Sequence, residues 1–186
     1  MISSGEYQCW TRGSEAAAQP GEGPAWYAVH TFPRHEKAVA ERMLRQGVTV
    51  FLPTVNEVHR WSDRRKNVQL PLFNCYVFVQ IAPRNEERIR VLRTDGVISF
   101  VGMRGQGTPI PVEQIEAVRA VVAHGLSCGS HPFLKTGQRV RIRGGALDGI
   151  EGVFVSQNGN RSLVISVDAI QRSLVVRIDG YKVDVI

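Results

Sequence analysis

Three polar side chains with the spacing of a nucleic-acid interface lie near the end of the first predicted helix, residues 34–46. Arg42 and Arg45 are three residues apart and Arg42 and Gln46 four apart, so all three can share one helix face. Arginine and glutamine are also the side chains that read the edges of guanine and adenine. Charges at this spacing are equally common on helix faces that only meet solvent. Two interpretations therefore stay open, a nucleic-acid interface and a solvated helix face.

A second group of cations, Arg64, Arg65 and Lys66, lies in the turn of a predicted hairpin. The strands of that hairpin are Glu57–Trp61 and Asn67–Leu72. Cations on an exposed loop beside a tryptophan suit phosphate contacts to a nucleic-acid duplex or an exposed strand. Because a loop of this composition has few other groups to stabilise, a nucleic-acid contact is the favoured interpretation.

No set of residues in the sequence matches a catalytic site or a metal site. His124, Cys128 and His131 carry metal-binding side chains, but no fourth ligand accompanies them. His35 and Glu36 are explained as surface residues of a helix, and no nucleophile motif accompanies them. We therefore expect a protein that is not an enzyme and that uses no metal and no other cofactor.

The composition indicates a globular protein with a moderate surplus of positive charge. The chain has 186 residues and a net charge of +6, and Trp26–Ala123 holds 14 basic against 9 acidic residues. Basic patches favour nucleic acid or another polyanion as a partner. The sequence has neither a signal-peptide core nor an apolar run near the ~20 residues of a membrane helix. Three scattered cysteines form no disulfide framework, so we expect a cytoplasmic protein without membrane contact.

Strands and helices alternate over residues 25–123, after a polar segment at 1–24 that we expect to be disordered. Apolar residues at helical spacing predict helices at 34–46 and 85–93, and Pro111 suits the start of a third. The run Tyr76–Ile81 is almost continuously apolar, as in a central strand that is buried on both faces. This alternation predicts an α/β sandwich with helices packed on a sheet.

The pattern changes after residue 123. Residues 124–134 are rich in Gly, Ser and Pro and predict a linker, whereas 135–186 contain five short strands separated by turns. Such a succession predicts a small all-β domain, interpreted as a closed barrel. Gly149 and Gly152 permit sharp reversal and close backbone approach there. A phosphate-binding loop is disfavoured because no Gly-Lys-Ser/Thr is present and a strand follows instead of a helix.

Segments of both predicted domains resemble the NusG family of transcription factors. Val140–Val153, with its spaced glycines, is similar to the KOW motif. Pro71–Val79 resembles the NusG N-terminal domain, although Asn74-Cys75 stands where the family usually has Pro-Gly or Pro-Asn. Further matching segments follow in the family's order: Thr94–Val97, Phe100–Gly102 and Pro109–Pro111. Over residues 24–186 the chain is identified as a member of this family, most similar to its specialised RfaH-type paralogues.

The resemblance implies a NusG N-terminal domain at 25–123 and an SH3-like KOW barrel at 135–186, acting in transcription elongation and antitermination. It places Phe73 in an exposed apolar patch that binds the clamp helices of the largest RNA polymerase subunit. His30, Phe51 and Tyr76 could line the same patch. On the residues alone, Phe73 could instead fill the core. Solvent-facing aromatic patches are normally explained by a partner.

The resemblance also implies that the face with Arg42, Arg45 and Gln46 contacts the non-template DNA strand, so that the factor suppresses pausing. The KOW domain would recruit Rho or a small-subunit ribosomal protein, with Leu147 and Ile150 as candidate contacts. We expect a monomer. The alternative is a KOW-containing RNA-binding or ribosome-associated protein that does not act on polymerase.

Overall fold

A computed structural model describes residues 23–60, 65–102, 105–125, 128–132, 137–157, 160–178 and 181–186, with the backbone alone at 57–60, 65–67, 128–132, 156–157 and 160. The chain divides into two compact units. The first contains the residues up to Leu52 together with Cys75–Gly107, and the second contains Pro53–Asn74 and Thr108–Ile186. Most of the predicted tail, residues 1–22, lies outside the described residues.

The elements follow the predicted succession of an α/β region and an all-β region, which confirms the predicted fold class. Through residue 123 they are β1 (Ala25–Thr31), α1 (Glu36–Arg45), β2 (Thr49–Phe51), β3 (Thr54–Arg60), β4 (Arg65–Pro71), β5 (Tyr76–Ile81), α2 (Asn85–Leu92), β6 (Val97–Phe100) and α3 (Val112–Ala123). After it they are β7 (Cys128–Pro132), β8 (Gln138–Arg143), β9 (Glu151–Gln157), β10 (Asn160–Val167), β11 (Arg172–Arg177) and β12 (Lys182–Val185). None of the described helices has the length and apolar character that crossing a membrane requires.

The first unit is built on an antiparallel sheet with the strand order β2-β5-β1-β6. Helix α1 turns a stripe at helical spacing toward the core, with Val39, Ala40 and Met43 buried. Alternate residues of the strands, such as Val29 and Val79, join the same cluster. Strand β5 is paired on both sides and largely buried, as its apolar run predicts.

The turn before β5 is tied to the first helix by a buried carboxylate. Glu36, predicted as a surface residue of the helix, is instead only 4% exposed, and its Oε1 accepts a hydrogen bond of 2.7 Å from the Cys75 N–H. The carbonyl of Cys75 in turn accepts a hydrogen bond of 2.9 Å from the N–H of Thr31. Cys75 has φ +67°, a left-handed conformation that favours glycine. The chain therefore keeps a turn of the glycine type although it carries a side chain there.

Replacing Cys75 by glycine is expected to raise the free energy of unfolding by about 0.5–1 kcal/mol. The left-handed conformation costs a residue with a side chain about 1–2 kcal/mol, and the greater freedom of glycine in the unfolded chain offsets part of that gain. Urea unfolding of Cys75→Gly measures the change. Cys75→Ala is the control, since it removes the thiol and retains the strain. A glycine variant no more stable than the alanine variant would contradict the assignment of strain.

The hairpin of β3 and β4 belongs to the second unit and is longer than the sequence predicts. Its pairing runs from Thr54 opposite Pro71 to Arg60 opposite Arg65. Arg65 and Lys66 therefore lie in β4 and not in the turn, which is a correction of the predicted tip. The ladder extends through polar residues because its hydrogen bonds join backbone groups, whatever the side chains are.

The C-terminal sheet has the order β12-β8-β9-β10-β11-β7 and contains all five predicted strands. The sixth, β7, lies within the segment predicted as a linker and pairs with β11. Among the described residues no pairing joins β7 to β12. Helix α3 packs against β10, and Gln114 exchanges two hydrogen bonds with Asp168, of 2.9 and 3.2 Å.

Candidate nucleic-acid interface

The C-terminal ends of α1 and α2 meet around the turn that leads into β6. Arg42 Nη1 donates to the carbonyl oxygen of Asp95 at 2.6 Å and lies 3.2 Å from its Oδ2. Arg90 Nη1 donates to the carbonyl of Gln46 at 3.3 Å, and Thr94 Oγ1 donates to Gln46 Oε1 at 3.2 Å. Helix C-termini carry unpaired carbonyls and partial negative charge, which arginine satisfies. The two helix ends are thereby held together.

Four arginines are gathered at this junction, and we call them the arginine cluster: Arg42, Arg45, Arg90 and Arg93. The side chain of Arg45 is 79% exposed, and its Nη2 lies 3.7 Å from Oε2 of Glu41. Arg93 is exposed as well. Arg45 and Arg93 are thus the members most accessible to a ligand, whereas Arg42 and Arg90 also join the helix ends.

The structure brings the three predicted residues of α1 together and adds residues that the sequence reasoning missed. Arg42 and Gln46 are engaged by Asp95 and Thr94, so they are positioned groups rather than free ones. A signal for the missed part exists, since Arg90 and Arg93 repeat on α2 the three-residue spacing of Arg42 and Arg45. Neither segment alone predicts that the C-terminal ends of α1 and α2 lie next to each other.

The predicted hairpin-tip cations have no described side-chain geometry. Arg64 lies outside the described residues, and Arg65 and Lys66 have a described backbone only, opposite Arg60 and His59. Their contact with nucleic acid stays a prediction.

Phe73 does not lie on an exposed patch, which corrects the expected exposure. Only 2% of its surface is accessible. It follows Leu72, which is also buried and whose N–H donates to the carbonyl of Pro53 at 2.8 Å, while Asn74 is exposed. Full burial of a large apolar side chain contributes about 1.5–3 kcal/mol. Phe73 occupies the core position that the sequence left open.

The other aromatic candidates lie on the first unit's sheet. Phe51 is buried, in contact with the rings of Trp26 at 6.5 Å and Phe78 at 6.1 Å between centroids. His30 of β1 and Tyr76 of β5 are opposite each other in the ladder, with ring centroids 5.5 Å apart. Both of these are half-buried. The structure therefore brings His30 and Tyr76 together as a pair that a partner could touch.

Of the two candidates for partner binding in the C-terminal domain, one is fully buried. Leu147 is fully buried, at the end of a short 3₁₀ turn over Gly145–Leu147 that points it into the core. Asp148 fixes this turn, because its Oδ1 accepts a hydrogen bond of 2.6 Å from the Gly144 N–H. The expected role of Leu147 as a partner contact is therefore wrong. Ile150 is half-buried.

Comparison with known families decides the assignment. The family model described as "Transcription termination factor nusG" matches residues 24–119, more than half of the chain. The chain belongs to the NusG family. Closer kinship with RfaH-type members stays a prediction.

Two curated members of the NusG family align with more than four fifths of the chain. The transcription termination/antitermination protein NusG of Lactococcus lactis is 28% identical over 170 residues, which cover 86% of this chain and 91% of that protein. NusG of Borreliella burgdorferi is 26% identical, covering 83% and 95%. A solved structure of Thermotoga maritima NusG is 20% identical, with a TM-score of 0.47 and coverage of 82% and 92%.

Proposed function

We propose that this NusG-family protein is a transcription termination/antitermination factor that binds RNA polymerase and holds the non-template DNA strand at the arginine cluster. The observation that carries the proposal is the convergence of two helix ends with Arg45 and Arg93 exposed, inside the region that matches the family. Phosphate contacts from arginine supply most of the affinity for a nucleic-acid strand.

The cluster suits a single strand because its cations differ in how they are held. Arg45 and Arg93 are exposed and can meet successive phosphates. Arg42 is fixed by Asp95, so its guanidinium loses little freedom when it binds a ligand. The transcription bubble of an elongating polymerase exposes its non-template strand. A factor that binds this strand favours the elongating conformation of the bubble and the clamp. The expected consequence is reduced pausing.

For the polymerase contact we propose the pair His30 and Tyr76, packed ring to ring on neighbouring strands, with the clamp helices of the largest subunit as partner. Aromatic side chains are enriched among the residues that dominate binding energy at interfaces. Phe51 supports this face through its stack on Phe78, and Phe73 supports the fold rather than the contact. Ile150 is the remaining candidate for a second partner, Rho or a small-subunit ribosomal protein. The protein would act as a cytoplasmic monomer.

The double variant Arg45→Gln/Arg93→Gln is expected to weaken binding to a polymerase elongation complex with an open bubble by about 25-fold at ~0.1 M salt. Each lost phosphate contact on a single strand lowers the salt slope by about 0.7, so two lower it by about 1.4. Binding to polymerase without nucleic acid should not change. Arg84→Gln/Arg172→Gln, which removes two exposed arginines elsewhere, is the charge-matched control.

An unchanged salt slope in the double variant would exclude the arginine cluster from strand binding. Failure of the unmodified protein to bind polymerase, together with its co-purification with ribosomal RNA, would favour the alternative of a ribosome-associated protein. Binding to polymerase without nucleic acid therefore tests the polymerase contact, and binding to the elongation complex with an open bubble tests the strand contact.

A further inference from the structure

The strands β3 and β4 pair with each other in a two-stranded sheet of their own, which we call the ribbon. Its ladder keeps one register throughout, from Thr54 opposite Pro71 to Arg60 opposite Arg65. At about 3.4 Å per residue, this ladder is roughly 20 Å long. The ribbon therefore has two long faces, and the register determines which residues belong to each.

Successive residues of a strand lie on opposite faces, and residues directly opposite each other in a ladder share a face. One face of the ribbon carries Val55, Val68 and Leu70, which are half-buried. The other carries residues whose side chains form hydrogen bonds, and we call it the polar face: Asn56, Arg60, Arg65, Asn67 and Gln69. Asn56 and Gln69 lie opposite each other, and both are exposed.

The residue types of the polar face are those that recognise base edges in DNA. Arginine donates two hydrogen bonds to O6 and N7 of guanine, and asparagine or glutamine pairs with N6 and N7 of adenine. Val58, opposite Asn67, adds an apolar residue to the same face, suited to the methyl group of thymine. The polar face thus has three successive levels: Asn56 with Gln69, Val58 with Asn67, and Arg60 with Arg65.

The dimensions of the ribbon fit the major groove of duplex DNA. Levels on one face are two residues apart, about 7 Å, so the three levels span about 14 Å. Neighbouring base pairs are about 3.4 Å apart, so this length covers about four base-pair steps. The major groove of B-DNA, about 12 Å wide, admits a two-stranded ribbon. Side chains cannot read the deep and narrow major groove of duplex RNA, so DNA is the duplex that fits.

The charges of the ribbon also favour a polyanion as its ligand. Arg60 lies opposite Arg65 on the polar face, and like charges directly opposite each other destabilise a ladder. Lys66 adds a positive charge on the other face, and Glu57 is the single acidic residue of the two strands. A DNA groove is flanked by phosphates on both sides. These phosphates would offset the repulsion within the ribbon.

We propose that the polar face of the ribbon binds the major groove of duplex DNA and reads a short sequence that contains guanine and adenine. Arg60 and Arg65 recognise guanine, and the three amide side chains recognise adenine. This activity goes beyond the proposed function, in which the arginine cluster holds a single strand, because it adds a duplex ligand and a sequence preference. It needs neither polymerase nor the arginine cluster, so its failure would leave the proposed function untouched.

The test selects preferred sequences from a pool of short DNA duplexes with a randomised centre, using the full chain. Every protein carries Arg45→Gln/Arg93→Gln, so that the arginine cluster does not contribute. An enriched motif of about four base pairs with guanine and adenine is expected. Fluorescence anisotropy then compares the selected duplex with a DNA duplex of unrelated sequence, and with the selected sequence as a single DNA strand and as duplex RNA.

Two variants separate base recognition from charge. Asn56→Ala/Gln69→Ala is expected to weaken binding of the selected duplex at least about 5-fold, the loss of one bidentate contact. Its affinity for the unrelated duplex should not change, because no charge is removed. Arg60→Lys/Arg65→Lys retains both charges but loses the planar guanidinium, so the preference for guanine should fall while the salt slope is retained.

The matched control is Asn85→Ala/Gln106→Ala, which removes two exposed amides elsewhere and should retain the preference for the selected duplex. A pool without an enriched motif would overturn the proposal. So would an equal loss of preference in the control, or retention of the guanine preference in the lysine variant. Binding of the single strand or of duplex RNA as tight as that of the selected DNA duplex would overturn it as well.

Discussion

Phe73→Ala is expected to lower the free energy of unfolding by about 3–5 kcal/mol, the loss that follows when a buried phenylalanine is truncated. Phe73 is among the largest fully buried side chains of the described residues, and alanine would leave a cavity in its place. Urea unfolding followed by circular dichroism measures the change. Phe73→Leu retains much of the apolar volume and should recover more than half of the loss.

The effect of Phe73→Ala on polymerase binding can be interpreted only together with its effect on stability. If Phe73 acts through packing, Phe73→Leu binds polymerase like the unmodified chain, whereas His30→Ala weakens binding without a comparable loss of stability. A loss of stability below about 1 kcal/mol in Phe73→Ala would show that Phe73 is not part of a packed interior. In that case the exposed patch inferred from the family resemblance would be restored.

Gly152→Ala is expected to destabilise the C-terminal sheet by about 3 kcal/mol, at the upper end of what overpacking costs. A Cβ at Gly152 would lie 2.6 Å from the carbonyl oxygen of Val164 and 2.9 Å from Cγ of Leu163. The leucine could rotate away, but the carbonyl belongs to the backbone of β10, where Val164 pairs with Val153. Relief of the overlap therefore requires the two central strands to separate.

Gly149→Ala is the comparison for this prediction. Gly149 has φ +82° and open space where a Cβ would lie, so alanine there meets only the left-handed strain of about 1–2 kcal/mol. The order of the two losses, measured by thermal unfolding, distinguishes close approach from conformational strain. A loss for Gly152→Ala no greater than that for Gly149→Ala would contradict the tight packing of β9 on β10.

The local periodicity of apolar residues predicts most of the helices and strands. The stripe of Val39, Ala40 and Met43 and the apolar run of β5 place these elements correctly, because one helix face or one strand must be buried whatever its neighbours are. Strand β7 could not be read in this way. Its residues Cys128–Pro132 have no apolar alternation, and pairing with β11 needs only their backbone groups.

The candidate site was predictable only in part, because its geometry depends on residues far apart in sequence. The spacing of Arg42 and Arg45 identifies one face of α1, but the sequence does not say that Asp95 holds Arg42 or that Arg90 lies beside Gln46. The solvent exposure of individual side chains was also not predictable from the sequence. Leu147 resembles a surface hydrophobe in a glycine-rich turn, yet a short 3₁₀ turn points it inward.

The order of strands in the first unit also determines when that unit can assemble. Strand β1 is central, and both of its partners come much later in the chain, with Ala25 opposite Ile81 and Val29 opposite Phe100. During synthesis the apolar β1 therefore has no partner strand until residue 81 has left the ribosome, and its second edge stays unpaired until residue 100 has followed. Long-range pairings of this kind form slowly, and the exposed strand meanwhile is a target for chaperones or for aggregation. Topology thus makes β1, the first of the described strands, dependent on its surroundings while the protein folds.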